Sequence, residues 1–503
     1  MQASAADGKT TIYRKDLSMQ IETEGIMPDI PEEQQEQKTQ EQAGIAEAGI
    51  AVDVGTTTIA VNVWSLSEKK RLAVVAEKNL QARYGCDIIR RISFATRPPL
   101  TGSSAVVETG ASALHYAVIA QLEKLFVRAL ALAAQKMPRG IQLNVSKIVI
   151  TGNTTMLSFV CAFPVDGLAM APFTPASCFG FTACWDKVRH GTVNEKCTAL
   201  DLPTPEMLQL FSASPINGET PVYFPPCVGA FIGADTVCAM ISAGFPSPEA
   251  AETTEWDMPV QKPLLLADIG TNTEIALFLP KNGEQPAKIL CTSAAAGPAF
   301  EASNISCGMS SIDGAIEKIE CKDGSLSCSV IGGGTPKGIC GSGLVSAAST
   351  LIKNHYIDKS GVIKRNASKL GDGSSCLQLT PAVYLSQQDI RNLQLAKSAV
   401  CTGLNYMLER SPGLPLFCIA GGFGSHLDIE DACTIGLIPK KLEKCTVSLG
   451  NAALAGASAM LFSKLLRKKA QEIKKHSIQI NLAAVPGFQE RYLGSIDFTE
   501  DDR

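Results

Sequence analysis

Two short stretches of this 503-residue chain carry the same polar residues at the same spacing. The sequences AVDVGTTTIAV at 51–61 and LADIGTNTEIA at 266–276 each place Asp, Gly and Thr directly after an apolar run. In such a turn, backbone N–H groups and Thr hydroxyls can bind phosphate oxygens, and Gly lets a ligand approach the backbone. A nearby carboxylate can hold Mg²⁺ through water. The two copies predict a phosphate clamp with one side from each half of the chain; the alternative is two ordinary hairpins.

The two turns supply the first candidate site residues. Asp53 and Asp268 are the expected Mg²⁺-binding and water-positioning carboxylates, although an Asp can also simply cap its own turn. The expected phosphate ligands are the remaining glycine and polar residues of the turns: Gly55, Thr56, Thr57, Thr58, Gly270, Thr271, Asn272 and Thr273.

Three further polar residues have the right chemistry for the same site. Asn153 follows an apolar run in TGNTT, where it could reach a phosphate or form an Asx turn. Asp235 in GADT and Glu301 in GPAFE could orient the attacking water or the ribose, or act only as helix-start carboxylates. Phosphoryl transfer depends mainly on positioning and charge neutralisation, so a single strong base is not required.

The elements around these residues read as an alternating α/β pattern. Each turn lies between two apolar strands, and SKIVITGNTTMLSFV reads as strand, loop and helix. Apolar residues at helical spacing predict long helices in ALHYAVIAQLEKLFVRALALAAQK and SQQDIRNLQLAKSAVCTGLNYMLER. The stretch PLFCIAGGFGS predicts a strand that enters a glycine-rich loop, and residues 450–476 predict one long helix.

Composition divides the chain into three parts. Residues 1–46 are rich in Gln, Glu and Pro and are expected to form a disordered tail. The acidic, Pro-containing stretch at 247–263 predicts a boundary between a first half at 47–255 and a second half at 256–503.

Charge and cysteine content exclude several classes of protein. The 45 Lys and Arg nearly balance the 49 Asp and Glu, so nothing favours a nucleic-acid or membrane-surface partner. No apolar run predicts a signal peptide or a membrane span, and we expect a cytoplasmic protein. The 17 cysteines are dispersed without a CxxC pair, which favours reduced, mostly buried thiols over a disulfide scaffold.

The double DxGTxT motif resembles the phosphate loops of the acetate-kinase, sugar-kinase, chaperone and actin (ASKHA) superfamily. This resemblance implies a duplicated actin-like ATPase fold of the ribonuclease-H-like type, with two halves around a nucleotide cleft. The sequence IAGGFGSHLD at 419–428 resembles the superfamily's adenosine loop. The nucleotide contacts implied by the resemblance are Gly421, Gly422, Phe423 and Gly424, with Gly341 and Ser342 of GICGSGLV.

Longer motifs resemble a narrower family, the reductive activators of corrinoid enzymes. They include TGNTTML, APFTP, PCVGAFIGADTV, AAAGPAFEASNISCGM and AGGFGSHLDIEDACTIGLIP, and the resemblance extends over about residues 49–497. It implies an ATPase that uses ATP and Mg²⁺ to drive reduction of a Co(II) corrinoid to Co(I). The implied partner is a corrinoid protein or its methyltransferase, and a homodimer is compatible with the resemblance.

The chain departs from that family in its cysteines. Such activators usually carry an iron–sulfur domain, whereas no cysteine precedes Cys86 or follows Cys445 here. We therefore expect no iron–sulfur cluster and a separate electron donor.

Three alternatives remain open from the sequence. CTSAAAGPAFE is similar to the activators of 2-hydroxyacyl-CoA dehydratases, in which case Cys291, Cys307 and Cys340 could bind a shared cluster. The chain could also be a small-molecule kinase of the same superfamily or a nucleotide-dependent binding module without enzymatic activity.

His426 beside the adenosine-like loop is interpreted as a surface histidine.

Overall fold

The computed structural model describes residues 27–28, 44–97, 109–193, 205–247, 262–365 and 367–498. Within these residues the chain forms two compact units. The first is built from the chain up to Ser247 together with Ala452–Lys475, and the second from the remainder up to Asn451 together with the segment that begins at His476. The predicted tail lies almost entirely outside the described residues, as does most of the predicted boundary stretch.

The first unit is organised around a six-stranded sheet with the order β3-β2-β1-β4-β6-β5. Its strands are β1 (Ile45–Val54), β2 (Thr58–Ser65), β3 (Lys70–Lys78), β4 (Gln142–Gly152), β5 (Phe181–Cys184) and β6 (Pro221–Phe224). The helices in this part of the chain are α1 (Ile88–Ala95), α2 (Gly110–Ala134), α3 (Thr154–Val160), α4 (Asp166–Ala169), α5 (Trp185–Arg189), α6 (Pro205–Ser212) and α7 (Ala234–Ser242).

The second unit contains another six-stranded sheet and two small three-stranded sheets. Its strands up to residue 450 are β7 (Leu264–Ile269), β8 (Thr273–Leu279), β9 (Lys288–Ala294), β10 (Ala315–Lys322), β11 (Ser325–Val330), β12 (Gly338–Ile339), β13 (Ala367–Lys369), β14 (Ser375–Gln378), β15 (Tyr384–Ser386), β16 (Leu416–Ala420) and β17 (Thr446–Gly450). Its helices in the same range are α8 (Gly341–Lys353), α9 (Gln387–Leu408) and α10 (Ile429–Thr434).

The last elements of the chain are divided between the two units. They are α11 (Ala452–Ala459), α12 (Lys464–His476), β18 (Ser477–Gln479) and α13 (Phe488–Gly494). Strand β18 adds to the second large sheet by pairing in parallel with β9, which gives that sheet the order β17-β16-β7-β8-β9-β18.

The two large sheets share one topology around their central strands. β1 pairs antiparallel with β2, which pairs antiparallel with β3, and β7 repeats this arrangement with β8 and β9. On the other side β1 pairs in parallel with β4, as β7 does with β16. Each central strand therefore ends in the turn that carries the repeated motif. The topology confirms the predicted α/β class and its duplication.

Burial explains why these segments adopt these elements. In the first unit, β1 and β2 carry the fully buried Ile50, Val52, Ile59 and Val61, and α2 packs its apolar residues against them. In the second unit, β7, β8 and α9 form a separate core. Helix α9 begins with a capping box, in which the Ser386 hydroxyl and the Asp389 carboxylate each accept the other residue's backbone N–H.

The structure differs from the predicted long helix at 450–476. Helix α11 ends at Ala459, and the Ser463 hydroxyl then accepts the Leu466 N–H at 3.1 Å, an N-terminal cap that starts α12 as a new helix. Both helices were expected in the second half, but Ala452–Lys475 packs with the first unit. The small residues of α11 account for this packing, because a side chain at Gly456 would lie 2.0 Å from the Cys238 carbonyl of α7.

Among the described residues, no helix is long and apolar enough to cross a membrane.

Candidate nucleotide site

The first repeated turn connects β1 to β2. The Gly55 N–H donates to the Thr58 carbonyl at 2.9 Å and closes the turn. Asp53 is half-buried and lies between the buried Val52 and Val54, so its side chain is on the opposite face of the strand from theirs. The structure thus places a carboxylate directly before a turn of Gly and Thr residues, as the motif predicts.

Three successive carbonyls of this turn are held from one side. The Asn79 side-chain amide donates to the Gly55 carbonyl at 2.9 Å, and the Asn79 backbone N–H donates to the Thr57 carbonyl at 2.8 Å. The Arg91 guanidinium donates to the Thr56 carbonyl between them at 2.7 Å. In a trans peptide the N–H points opposite to the carbonyl. The N–H groups of Thr56 and Thr57 therefore point away from Asn79 and Arg91, an arrangement suited to an anion.

Asn153 and Asp235 lie next to this turn. Asn153 caps α3 by accepting the Met156 N–H at 3.0 Å, and its amide donates to the Thr56 hydroxyl at 3.1 Å. The capping role and the contact with the turn therefore coexist. A side chain at Gly233 would lie 2.5 Å from the Asn153 Cα and 2.5 Å from an Asp235 carboxylate oxygen. Gly233 thus allows the start of α7 to approach Asn153 and brings Asp235 to the site.

Asp235 is half-buried, and the pKa of its carboxyl is displaced from the ordinary value. Burial raises the pKa of Asp235 to about 6. Hydrogen bonds from Thr236 act in the opposite direction but are the smaller effect. The Thr236 N–H donates to the carboxylate at 2.7 Å. A carboxyl with a pKa near neutrality can accept a proton from water and release it again at physiological pH.

The second repeated turn is one residue shorter than the first. Val54 pairs with Ile59 across residues 55–58, whereas Ile269 pairs with Thr273 across residues 270–272. The Gly270 N–H accordingly donates to the Asn272 carbonyl at 3.0 Å, so Asn272 rather than Thr273 occupies the place of Thr58. Thr273 is fully buried within β8, and this position takes it away from the exposed part of the turn.

Glu301 contacts the second turn directly. The Thr271 N–H and hydroxyl both donate to one Glu301 carboxylate oxygen, at 3.0 and 2.6 Å. The Gly297 N–H donates to the Thr271 carbonyl, in the next peptide of the turn, at 2.8 Å. The second turn is therefore held by a carboxylate, whereas the first is held by a guanidinium.

The adenosine-like loop lies against Asp268. Gly421 has φ of +94°, and a side chain there would lie 2.8 Å from an Asp268 carboxylate oxygen and 2.7 Å from the Ile269 carbonyl. Only Gly tolerates both this backbone conformation and this approach. Phe423 stacks on Phe300 with ring centroids 4.9 Å apart.

The other residues predicted to contact the nucleotide differ in exposure. Gly422 is exposed, whereas Gly424 is buried. The Gly424 carbonyl accepts a hydrogen bond from the Ser448 hydroxyl at 3.0 Å. Gly341 and Ser342 are buried at the start of α8, where Phe300 and Phe423 lie close to Gly341. Their position beside the aromatic pair keeps α8 next to the loop, although neither residue is on the surface.

The described residues contain no cluster of three or more His, Cys, Asp or Glu that could by itself hold a metal ion. Asp53 and Asp268 are nevertheless half-buried carboxylates beside their turns. Single carboxylates fit Mg²⁺, which keeps several waters and is usually bound by one or two protein carboxylates together with phosphate oxygens.

The cysteines named as alternative cluster ligands are distributed over separate elements. Cys291 is fully buried in β9, where burial raises the pKa of its thiol to about 12. Cys340 is buried at the N-terminus of α8, and Cys307 is half-buried. His426 is exposed beside the loop, as expected.

Sequence reasoning missed Asn79 and Arg91, which hold the first turn. Arg91 is separated from Thr56 by 35 residues, and it occurs in the stretch RYGCDIIRRI without a phosphate-binding motif. The available signal was spacing, because Arg91 shares the helical stripe of Ile88, Ile92 and Ala95. An Arg on the apolar side of a helix is almost never buried without a specific partner.

Two protein-family models match this chain and indicate its structural class. Residues 262–503 match the family model described as the C-terminal domain of RACo, the ASKHA domain, and residues 48–204 match the RACo middle region. The fold and the family model together identify an ASKHA-type protein, which confirms the actin-like ATPase fold predicted from the sequence.

Individual relatives define the family. The chain is 30% identical over 477 residues to the corrinoid activation enzyme RamQ of Eubacterium limosum, covering 90% of this chain and 70% of RamQ. It is 26% identical to a [Co(II) methylated amine-specific corrinoid protein] reductase of Methanosarcina barkeri, covering 90% of this chain and 77% of the reductase. The chain therefore belongs to the RACo family of corrinoid reductive activators.

A solved structure agrees with this assignment. The reductive activator for corrinoid, iron–sulfur protein superposes with a TM-score of 0.69 at 28% identity, over 90% of this chain. The matched region is 66% of the solved chain, so the present chain spans just under two thirds of that protein.

Proposed function

We propose that this protein is an ATP-dependent reductive activator of a corrinoid protein. In the proposed reaction, ATP and water give ADP and phosphate, while one electron from a separate donor converts Co(II) of the partner to Co(I). The names of the two curated relatives support a corrinoid partner, because one is a corrinoid activation enzyme and the other a Co(II) corrinoid protein reductase.

The observation that carries the ATP-dependent part is the repeated unit of strand, carboxylate and turn. In the first unit, Asp53 precedes a turn whose Thr56 and Thr57 N–H groups point away from its supports. In the second unit, Asp268 precedes the turn of Thr271 and lies against the glycine-rich loop at Gly421. Each unit separately offers a carboxylate for a hydrated Mg²⁺, and the first turn also offers N–H groups to a phosphate.

The proposed roles follow from these positions. The first turn binds phosphate oxygens through backbone N–H groups and Thr hydroxyls. In the second turn the Thr271 N–H and hydroxyl already donate to Glu301 and Thr273 is buried, so Asn272 is the remaining candidate phosphate ligand there. Mg²⁺ would neutralise the phosphate charge, and Asp53 and Asp268 are the carboxylates that would hold it through water, each beside its own turn. Asp235, whose pKa is raised by burial, accepts the proton of the attacking water. Glu301 has one carboxylate oxygen engaged by Thr271 and holds the second turn.

Coupling between ATP and the corrinoid protein requires two conformational states with different affinities. If nucleotide changes the affinity for the partner, the partner changes the affinity for nucleotide by the same factor. We propose that the ATP-bound state holds the partner in a form whose cobalt is easier to reduce. The electron then passes from a ferredoxin or a chemical reductant to cobalt without a cluster in this chain.

The test is Mg²⁺-dependent ATP hydrolysis by the anaerobically purified protein, with and without a Co(II) corrinoid protein. We expect slow hydrolysis alone and faster hydrolysis with the partner, and no increase with the corrinoid-free form of the same partner. Phosphate transfer to a small metabolite without any protein partner would contradict the proposal and support the kinase alternative.

Iron analysis and electron paramagnetic resonance test the electron route separately. We expect neither to detect a cluster. A stoichiometric cluster in either measurement would overturn the separate-donor part of the proposal and would leave the ATPase part standing.

A further inference from the structure

Arg91 is a fully buried guanidinium in the first unit. Its Nη2 donates to the Thr56 carbonyl at 2.7 Å and its Nε to the Gly85 carbonyl at 2.8 Å. Its Nη1 lies 3.4 Å from the Gln81 side-chain oxygen and 3.2 Å from the Met156 sulfur. The two short hydrogen bonds connect the repeated turn to the segment that precedes α1.

The four partners of Arg91 are neutral. Burial lowers the pKa of Arg91 to about 10, although the charge of Asp87 at the N-terminus of α1 acts in the opposite direction. A guanidinium remains protonated at neutral pH under these conditions. A buried charge without a carboxylate in contact costs free energy, and a second charge nearby would offset that cost.

The geometry around Thr56 indicates where an opposite charge fits. Arg91 binds the carbonyl side of the peptide between Thr56 and Thr57, so the N–H of Thr57 points to the other side. An anion at that N–H would interact with the peptide dipole and with the positive charge behind it. Asn79 holds the peptides on either side in the same orientation, so the turn is fixed before any ligand binds.

A neutral side chain could supply the same hydrogen bonds. The Gln81 and Asn79 amides bind neighbouring backbone carbonyls without carrying a charge. The additional property that Arg91 brings is a permanent positive charge. Helix α1 carries a second arginine, Arg90, whose side chain is 70% exposed and therefore gives a matched comparison for the loss of one charge from the same helix.

We propose that Arg91 is a positioning residue that fixes the first turn for an anion and makes it select nucleoside polyphosphates over the neutral nucleoside. This inference rests on the nucleotide site of the proposed function and adds a residue outside the repeated motif. Arg91 acts through the Thr56 peptide and does not itself touch the ligand.

The experiment measures binding of ATP, ADP and adenosine to the full chain by isothermal titration calorimetry. Arg91→Met removes the charge and keeps an apolar side chain of similar length beside Met156, a replacement that buried charges often tolerate. We expect it to weaken ATP and ADP binding by about tenfold or more and to change adenosine binding by less than about twofold. Arg90→Met should leave the affinities for all three ligands unchanged.

The conservative variant separates charge from structure. Arg91→Lys keeps the positive charge, so it should retain most of the preference for ATP and ADP over adenosine. If Arg91→Met lowered the affinity for all three ligands by the same factor, or left the affinity for ATP unchanged, the inference would be overturned. If Arg91→Met does not fold, the affinities for the three ligands are compared in Arg91→Lys instead. An equal loss of affinity for ATP, ADP and adenosine in that variant would show a purely structural role.

Failure of the proposed function gives a different result. A wild-type protein that binds adenosine as tightly as ATP would contradict both the phosphate site and the role of Arg91. A wild-type protein that prefers ATP, with the same preference in Arg91→Met, would contradict the role of Arg91 alone.

Discussion

Asp235→Asn is a substitution that should stabilise the protein although it removes a candidate catalytic group. Asn has the same shape, and its Oδ1 can still accept the Thr236 N–H that Asp235 binds at 2.7 Å. It has no charge, so the desolvation that raises the pKa of Asp235 no longer opposes folding at neutral pH.

The magnitude follows from the displacement of the pKa. The pKa of Asp235 rises from 3.8 to about 6 on folding, which corresponds to about 3 kcal/mol. Because the folded protein binds this proton more tightly than the unfolded chain, the contribution of Asp235 to stability falls as pH rises from about 4 to about 6. At pH 7 the charged carboxylate therefore costs up to about 3 kcal/mol, and below about pH 4 the cost disappears.

Thermal unfolding followed at pH 4, 5, 6 and 7 measures this effect. We expect Asp235→Asn to raise Tm at pH 7 by up to about 5 °C and to leave it almost unchanged near pH 4. The same variant should hydrolyse ATP more slowly. A Tm at pH 7 equal to or below that of the wild type would refute the electrostatic argument.

Asp358→Asn is the matched control with the opposite sign. Hydrogen bonds from Ser360, Val362 and Lys364 lower the pKa of Asp358 to about 2, so this carboxylate contributes stability at neutral pH that is lost as pH falls from about 4 towards 2. Its side chain is about one third exposed, and after solvent screening we expect Asp358→Asn to destabilise the protein by about 1 kcal/mol at pH 7.

Three further predictions concern other residues. Asp268→Ala should lower the rate of ATP hydrolysis by about 100-fold or more in a protein with unchanged circular dichroism, and near-normal turnover would exclude its role at the phosphates. Gly421→Ala should weaken nucleotide binding in calorimetry, because a side chain there meets Asp268 and Ile269, whereas Gly413→Ala in open space should not. Burial lowers the pKa of His115 to about 4, so stability should decrease as pH falls from about 6.5 to 4; a His115→Gln variant with the same acid sensitivity would contradict this.

Local patterns were sufficient to predict much of the fold. The apolar runs on either side of each DxGT motif became β1, β2, β7 and β8, and the helical stripe after residue 110 became α2. These segments were predictable because hydrophobic periodicity and turn residues act over a few neighbouring positions. The position of Asn153 between a strand and a helix was predictable for the same reason.

The remaining features depend on contacts distant in sequence. The repeat suggested that Thr58 and Thr273 are equivalent, but strand pairing makes the second turn shorter and buries Thr273. The contact of Arg91 with Thr56 requires α1 to fold back on the turn, which no local pattern encodes. Packing of α11 in the first unit depends on the fit of Gly456 to α7, and this also cannot be read from helix propensity.

The most direct test of the proposed function is the visible spectrum of a Co(II) corrinoid protein during incubation with this protein, a reductant and MgATP. We predict that the absorption of Co(I) appears only when this protein and ATP are both present, and that Asp268→Ala prevents it. If Co(I) formed equally well without ATP, or did not form with any corrinoid protein that binds this chain, the account of ATP-dependent reductive activation would be wrong.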